Sequence, residues 1–236
     1  MPKKCAILQS SYIPWKGYFD LVNLVDEFIF YDIVQYTRRD WRNRNKIKTP
    51  RGAEWLTIPV RSKGNYFAKI DEIEIEDPKW GASHWGAICT NYASAKHFKD
   101  YKERFESCYL HTPEVRLSLV NQKFIHLICD ILRIQTRITN ASDYRDEGER
   151  NWRLLSLCKQ TGAEIYYSGP AAKSYLDVDL FRREGVEVVW IDYSDYPEYN
   201  QLFPPFDHHV TVLDLIFNEG PDAQRYMKSF QHCPTR

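Results

Sequence analysis

The first thirty residues constrain this chain most. A short apolar run, Cys5-Ala6-Ile7-Leu8, is broken by residues 9–14, and Tyr18, Leu21, Val22, Leu24 and Val25 then recur at helical spacing before a second apolar run over residues 27–31. Short apolar runs on either side of an amphipathic stretch predict strand, helix, strand. Such a unit closes as a right-handed crossover between parallel strands. It leaves the first loop and Asp32 at the strands' carboxyl ends, where open α/β sheets take their ligands.

The same pattern returns late in the chain. Residues 151–160 read as a helix closed by Thr161-Gly162, and 164–167 as a strand ending at Ser168-Gly169-Pro170. A short helix over 178–183 with Gly185 behind it and a strand over 186–191 complete a second unit. Between the two units, 54–60 and 69–75 are strand candidates and 80–105 turns helical. A longer helix carries Leu117, Val120, Phe124, Leu127, Ile128 and Ile131 in a three-to-four rhythm, with Pro113 placed to help start it. The expected fold is α/β: one domain over residues 1–229, mainly a parallel sheet built from two βαβ units with an inserted helical segment, and a frayed tail at 230–236. Residues 142–150 form a polar loop that reads as a mobile lid or a linker.

Composition narrows the function classes. Lys plus Arg and Asp plus Glu each total 32, so the formal net charge is zero, which argues against wholesale binding of nucleic acid or an anionic membrane. Hydrophobic residues make up 43% of the 236-residue chain, enough for a core. No stretch is long and apolar enough to span a membrane, and the amino terminus lacks a signal peptide's pattern, so a cytoplasmic location is expected. The six cysteines show no CxxC pair or metal spacing and read as reduced and mostly buried.

Two constellations stand out. In Gln9-Ser10-Ser11-Tyr12-Ile13-Pro14-Trp15-Lys16-Gly17-Tyr18 a strand end is followed by polar side chains, a rigid proline and a glycine that permits close approach, which suits a phosphate or a sugar, or simply a turn. The layout resembles the nucleotidyltransferase and class I synthetase superfamily, but that superfamily's paired histidines are absent, with Trp15 and Tyr18 in the segment instead. The second set is Asp32, Gln35, Arg38, Trp41, Asn43, Arg44 and Asn45, in a stretch where residues 37–48 hold six basic residues and one acid. Arginine forks suit phosphate or carboxylate, asparagine suits sugar hydroxyls, and Trp41 offers a stacking face. A solvated basic loop is the alternative.

Elsewhere, His84 is a candidate general base or a core-edge histidine. His208-His209 lack an evident third ligand, so no metal site is expected. No cysteine has a visible activator. Residues 193–201, rich in tyrosine and amides, read as a pocket rim or as packing.

Taken together, Gln9 with Pro14-Trp15-Lys16-Gly17-Tyr18-Phe19, Asp32 with Gln35-Tyr36, Trp41-Arg42-Asn43-Arg44-Asn45 and Trp55-Leu56-Thr57-Ile58-Pro59-Val60 resemble the WbqC-like family. His84 and Tyr92, Tyr167-Ser168-Gly169-Pro170 with Tyr175-Leu176-Asp177, Tyr199-Asn200-Gln201, and 213–220 resemble its later blocks, so the likeness covers nearly the whole chain. Ser10 departs from it, since the family often has proline after the glutamine. The resemblance implies a place in bacterial gene clusters for O-antigen, lipopolysaccharide and other surface glycans. It suggests an enzyme transferring an acyl or aminoacyl group, glycyl for example, to a nucleotide-linked amino sugar.

On that expectation Arg38, Arg44 and Asn45 hold phosphate, Trp41 stacks, His84 or Asp32 is the base, and Gln9 with the Ser168-Gly169 turn supplies oxyanion donors. Trp15, Tyr18, Gln35, Asn43, Tyr199 and Gln201 complete the expected binding set. The donor would be an acyl or aminoacyl thioester delivered free or by an acyl carrier protein, with no permanently bound cofactor. A nucleotidyl transferase and a noncatalytic sugar-nucleotide binding protein are the alternatives.

Overall fold

The computed structural model of the chain describes residues 1–231. In chain order the elements are β1 (Lys4–Leu8), α1 (Lys16–Asn23), β2 (Glu27–Phe30), β3 (Arg44–Thr49), β4 (Gly52–Thr57), α2 (Trp80–Tyr92), α3 (Phe98–Leu110) and α4 (Leu117–Ile131). There follow β5 (Arg137–Asn140), α5 (Asn151–Thr161), β6 (Ile165–Ser168), α6 (Val178–Arg183), β7 (Glu187–Trp190) and α7 (Val212–Glu219).

Five strands make one parallel sheet in the order β5-β2-β1-β6-β7, with Ala6 opposite Phe28 on one side and Tyr167 on the other. Counting only these strands along the chain, the order is 3-2-1-4-5, in which the direction of winding reverses between β1 and β6. In open α/β sheets that reversal opens a crevice beyond the strand ends.

Strand alternation builds the two faces. Ala6, Phe28 and Phe30 pack with Phe19 of α1, Phe124 of α4 and Phe217 of α7, whereas Cys5, Ile7 and Ile29 pack with Leu155 and Cys158 of α5 and Phe181 of α6. Each fully buried phenylalanine contributes about 2–3 kcal/mol by leaving water. The β3–β4 hairpin stands apart from the sheet and pairs antiparallel. α5 ends on Gly162 in the left-handed conformation, φ 73°, where a Cβ would be strained.

Several elements differ from the sequence reading. Residues 69–75 are not a strand: Ile70–Glu72 form a single 3-10 turn, because Ile70 and Ile73 are both buried three apart and Glu72 accepts from the backbone N–H of Lys69 at 2.8 Å. Only isolated bridges pair the flanks, Gln35 with Lys69 and Val60 with Ile75. The basic stretch hides β3, and the edge strand β5 is only four residues long, with no alternation to announce it. The helical segment from 80 to 105 is two helices. α4 begins four residues after Pro113, because Leu117 N–H is drawn to the Ile73 carbonyl at 2.9 Å. Of the expected tail, Phe230 still packs against the core, and residues 232–236, Cys233 among them, lie outside the described residues. No helix among the described residues is long and apolar enough to cross a membrane.

Candidate functional site

The loop after β1 is held in an unusual shape by its neighbours. Asp32, buried just beyond β2, accepts from Ser10 N–H at 2.8 Å and from Gln122 Nε2 at 3.2 Å. Burial pushes its carboxyl up, against the pull of these hydrogen bonds. Ile13 has φ 36°, a strained value for a β-branched residue. Asn45 clamps the strained segment, its Nδ2 donating to the carbonyls of Tyr12 at 3.1 Å and Ile13 at 2.9 Å. Gly17 serves the same loop, because a Cβ there would stand 2.3 Å from Cζ2 of Trp15. The close approach that this glycine permits is made by the protein's own indole, which folds back over the start of α1.

Trp15 so placed walls a cleft of about 790 Å³ beyond β1, with Leu8, Pro14, Tyr18, Trp41, Arg42 and Asn45 on the near side. Tyr193, Asp195, Tyr196, Glu198, His208 and His209 from the segment after β7 close the other side. Trp15 meets Tyr193 and Tyr196 edge-on at 5.2 and 5.5 Å between ring centroids, which makes a rigid aromatic corner. That segment is anchored from below. Tyr199 and Tyr92 both donate to the buried Asp214 carboxylate at 2.8 Å, and Gln201 and Asp207 hydrogen-bond reciprocally. Lys16, also buried, donates to the Pro197 carbonyl at 2.8 Å and lies over the Tyr196 and Tyr199 rings. Burial lowers its pKa to about 8, opposed by Asp20 and Glu198.

Three side chains lining this cleft each carry a solvent-shielded polar atom without a protein hydrogen bond: Nε of Arg42, the hydroxyl of Tyr196 and Nδ1 of His208. The other end of Arg42 donates from Nη1 to Gln9 Oε1 and to the Ser10 carbonyl, both at 3.3 Å, and Asp40 stands 3.7 Å from Nε, beyond hydrogen-bond reach. Burial, then the Lys16 charge, lowers the pKa of His208, which favours a neutral imidazole. Burial, with the Asp20 carboxylate nearby, raises the pKa of Tyr196 and keeps its hydroxyl protonated. An imidazole, a protonated phenol and a guanidinium thus belong to the walls of one aromatic-lined space, although the three unpartnered atoms are themselves shielded from solvent.

A second cleft, of about 620 Å³, adjoins the first at Leu8. It lies over the ends of β1, β2 and β6 and is lined by Gln9, Tyr31, Arg150, Arg153, Ser168, Gly169 and Tyr175 among others.

The residues singled out in the sequence divide accordingly. Trp15, Tyr18, Trp41 and Asn45 meet on the first cleft, and Gln9, Ser168 and Gly169 on the second, while Gln35, Arg38, Asn43, Arg44, His84, Tyr199 and Gln201 line neither. Arg38 donates to the Ser62 carbonyl, Gln35 to that of Tyr66 and Asn43 to that of Ile58. Arg44 donates to the Arg39 carbonyl and lies 4.2 Å over the Trp55 ring. His84 is buried between the Tyr12 hydroxyl, 2.8 Å from Nδ1, and the Thr57 carbonyl, 3.2 Å from Nε2, and burial lowers its pKa to about 4.

The arginine that reaches the cleft is Arg42, which the sequence reading passed over. Alternation along β3 accounts only for Arg44: Asn45 and Ile47 are buried, so Arg44 and Lys46 point the other way, onto Trp55, while Arg42 precedes the strand and no local pattern marks it. The five described cysteines are free thiols, and burial pushes Cys129 up to about 12. Among the described residues no three His, Cys, Asp or Glu side chains gather in a metal-binding group.

The model of the WbqC-like protein family matches residues 9–226, which include every strand but β1 and both clefts' principal walls. The chain belongs to the WbqC-like protein family. A Mycobacterium tuberculosis (strain ATCC 25618 / H37Rv) protein carrying the description "Uncharacterized protein Rv1507c" is 46% identical over 226 residues, covering 96% of this chain and 98% of that protein. No solved structure gives a significant match. In this WbqC-like chain the motifs are therefore of two kinds, those that face the clefts and those that brace the loops around them.

Proposed function

We propose that this WbqC-like protein is an enzyme of bacterial surface-polysaccharide biosynthesis that transfers an acyl or aminoacyl group, glycyl being one option, to the amine of a nucleotide-linked amino sugar. One observation carries the reading: the side chains of Arg42, Tyr196 and His208, each with a buried polar atom that no protein group hydrogen-bonds, line one aromatic-walled cleft. Buried polar groups ordinarily find partners, and a sugar bearing hydroxyl and amine groups offers them.

The chemistry follows from the protonation states. Asp195 and Glu198 attract the sugar's ammonium, which gives one proton to solvent to become the neutral amine, and His208 Nδ1 accepts a second proton from that nitrogen as its lone pair attacks a thioester carbonyl. The C–N bond forms, the C–S bond breaks, and the imidazolium returns its proton to the departing thiolate. Gln9 and the Ser168-Gly169 turn, at the junction where the adjoining cleft meets Arg42 and Tyr193, are the donors for the carbonyl oxygen. Trp15 and Trp41 exclude water from a sugar ring. The thioester is a substrate, delivered free or by a carrier protein in the cytoplasm, and no resident cofactor is required. In this reading His84 and Asp32 brace the site without touching the substrate.

The test is mass spectrometry of nucleotide-linked amino sugars incubated with the protein and thioester donors. A product heavier by the acyl group supports transfer. Tight binding with no mass change under any donor would reduce the protein to a binding role. The 3-2-1-4-5 strand order favours a second reading, nucleotidyl transfer, since open α/β sheets wound in this way take nucleotides at the winding reversal. Release of pyrophosphate from a nucleoside triphosphate with magnesium would select that one instead.

A further inference from the structure

The two clefts differ in charge. The first carries Asp195 and Glu198 on its rim beside a single arginine, a poor place for two phosphates. The second carries Arg150 and Arg153 and no carboxylate in its lining. Arg153 is ion-paired with Asp146 at 2.6 Å, whereas Arg150 makes no salt bridge among the described residues. Both arginines lie at the amino-terminal turn of the eleven-residue α5, whose cap position, Arg150 at φ 48°, provides no side-chain hydrogen bond. The helix dipole adds to the arginines' field at that end.

The clefts are also continuous. They share Leu8, and Gln9 of the second is hydrogen-bonded to Arg42 of the first. A Cβ on Gly169 of the second would stand 3.9 Å from the Tyr193 hydroxyl of the first. The second cleft also lies over the β1 and β6 ends, where the winding reverses.

We infer that the second cleft is a nucleoside diphosphate site, with the phosphates at Arg150 and the α5 amino terminus and the base against Tyr31 or Tyr175. A nucleotide-linked sugar then lies along the carboxyl edge of the sheet, its sugar crossing Leu8 into the aromatic cleft. The assignment deepens the proposed function by stating which half of the substrate occupies which cleft, but the site can be tested without turnover.

Titration calorimetry with UDP, dTDP and GDP, and separately with inorganic pyrophosphate, tests it on the full chain. At least one nucleotide binds the wild type, and more tightly than pyrophosphate. Arg150→Ala weakens it about tenfold, Arg150→Glu weakens it further, and Arg150→Lys restores most of the loss. Arg150 is exposed, so unchanged melting temperatures confirm folding. Tyr196→Phe leaves the bare nucleotide's affinity unchanged. The inference is overturned if none of the three nucleotides binds, if pyrophosphate binds as tightly as they do, if Arg150→Glu leaves affinity intact, or if Tyr196→Phe abolishes it. An Arg150-dependent nucleotide with no acylated product keeps this site and removes the transferase. An acylated product with affinity indifferent to Arg150 does the reverse.

Discussion

His84 and His208 are both shielded histidines in aromatic surroundings, and burial lowers the pKa of each, yet they sit in opposite kinds of place. Around His84 every hydrogen-bonding side chain is matched: Nδ1 to Tyr12, Nε2 to Thr57, and the Tyr12 hydroxyl onward to that of Tyr109 at 2.9 Å. Around His208 the polar atoms are left over, its own Nδ1 and the Tyr196 hydroxyl among them, at the edge of a cleft large enough for a sugar. A closed polar network specifies a unique core, whereas unsatisfied buried groups call for an explanation, which the proposed ligand supplies. On the proposed function, the contrast separates residues that hold this protein together from residues that meet its substrate.

The largest effect expected on the closed side is on stability. Replacing His84 by Ala removes one of the Tyr12 hydroxyl's two partners and opens a cavity, lowering unfolding free energy by roughly 3 kcal/mol in urea denaturation. Substrate affinity stays unchanged. The same residue shapes the acid limb. With its pKa near 4 in the folded state against 6.5 in a free side chain, the unfolded chain binds the extra proton first. Stability is therefore full above pH 6.5, falls as the pH drops from there to about 4 by up to roughly 3 kcal/mol, and loses that component in His84→Gln.

Next in size is Arg42→Ala on the open side, expected to weaken a nucleotide-linked sugar about 100-fold, or about 2.7 kcal/mol, by calorimetry. Melting temperature should hardly move, and a wild-type affinity in this variant would turn the contrast around. Smaller again is Gly17→Ala. The added methyl displaces the Trp15 indole from the cleft wall, costing about tenfold in affinity for the sugar nucleotide and little for the bare nucleotide.

Legibility in the sequence followed the same division. The parallel sheet and its crossovers could be read because strand runs and helical stripes are local patterns: β1, α1 and β2 fall within a residue or two of their expected places, as do α5, β6, α6 and β7. β5 and the 3-10 turn at Ile70–Glu72 could not, since each is fixed by distant partners, β5 by pairing with β2 and the turn by packing under α4. The site was legible as a neighbourhood and not residue by residue. Arg38, Arg44 and Asn45 have the chemistry of ligand binders, but which way Arg44 and Asn45 point depends on the hairpin's pleat, Arg38 lies in the loop before it and bonds Ser62, and the two arginines turn away from the cleft. The Tyr193–Glu198 wall reaches the β1 loop only because the sheet winds in both directions from β1, so nothing near it in sequence reveals its partner.

The most direct test of the account is calorimetric titration of a nucleotide-linked amino sugar into the wild type, Arg42→Ala, Tyr196→Phe and His84→Ala at one pH. The account predicts binding to the wild type, weaker by about 100-fold in Arg42→Ala and about tenfold in Tyr196→Phe, and unchanged in the folded fraction of His84→Ala. Loss of binding in His84→Ala, with wild-type affinity in the two cleft variants, would contradict it.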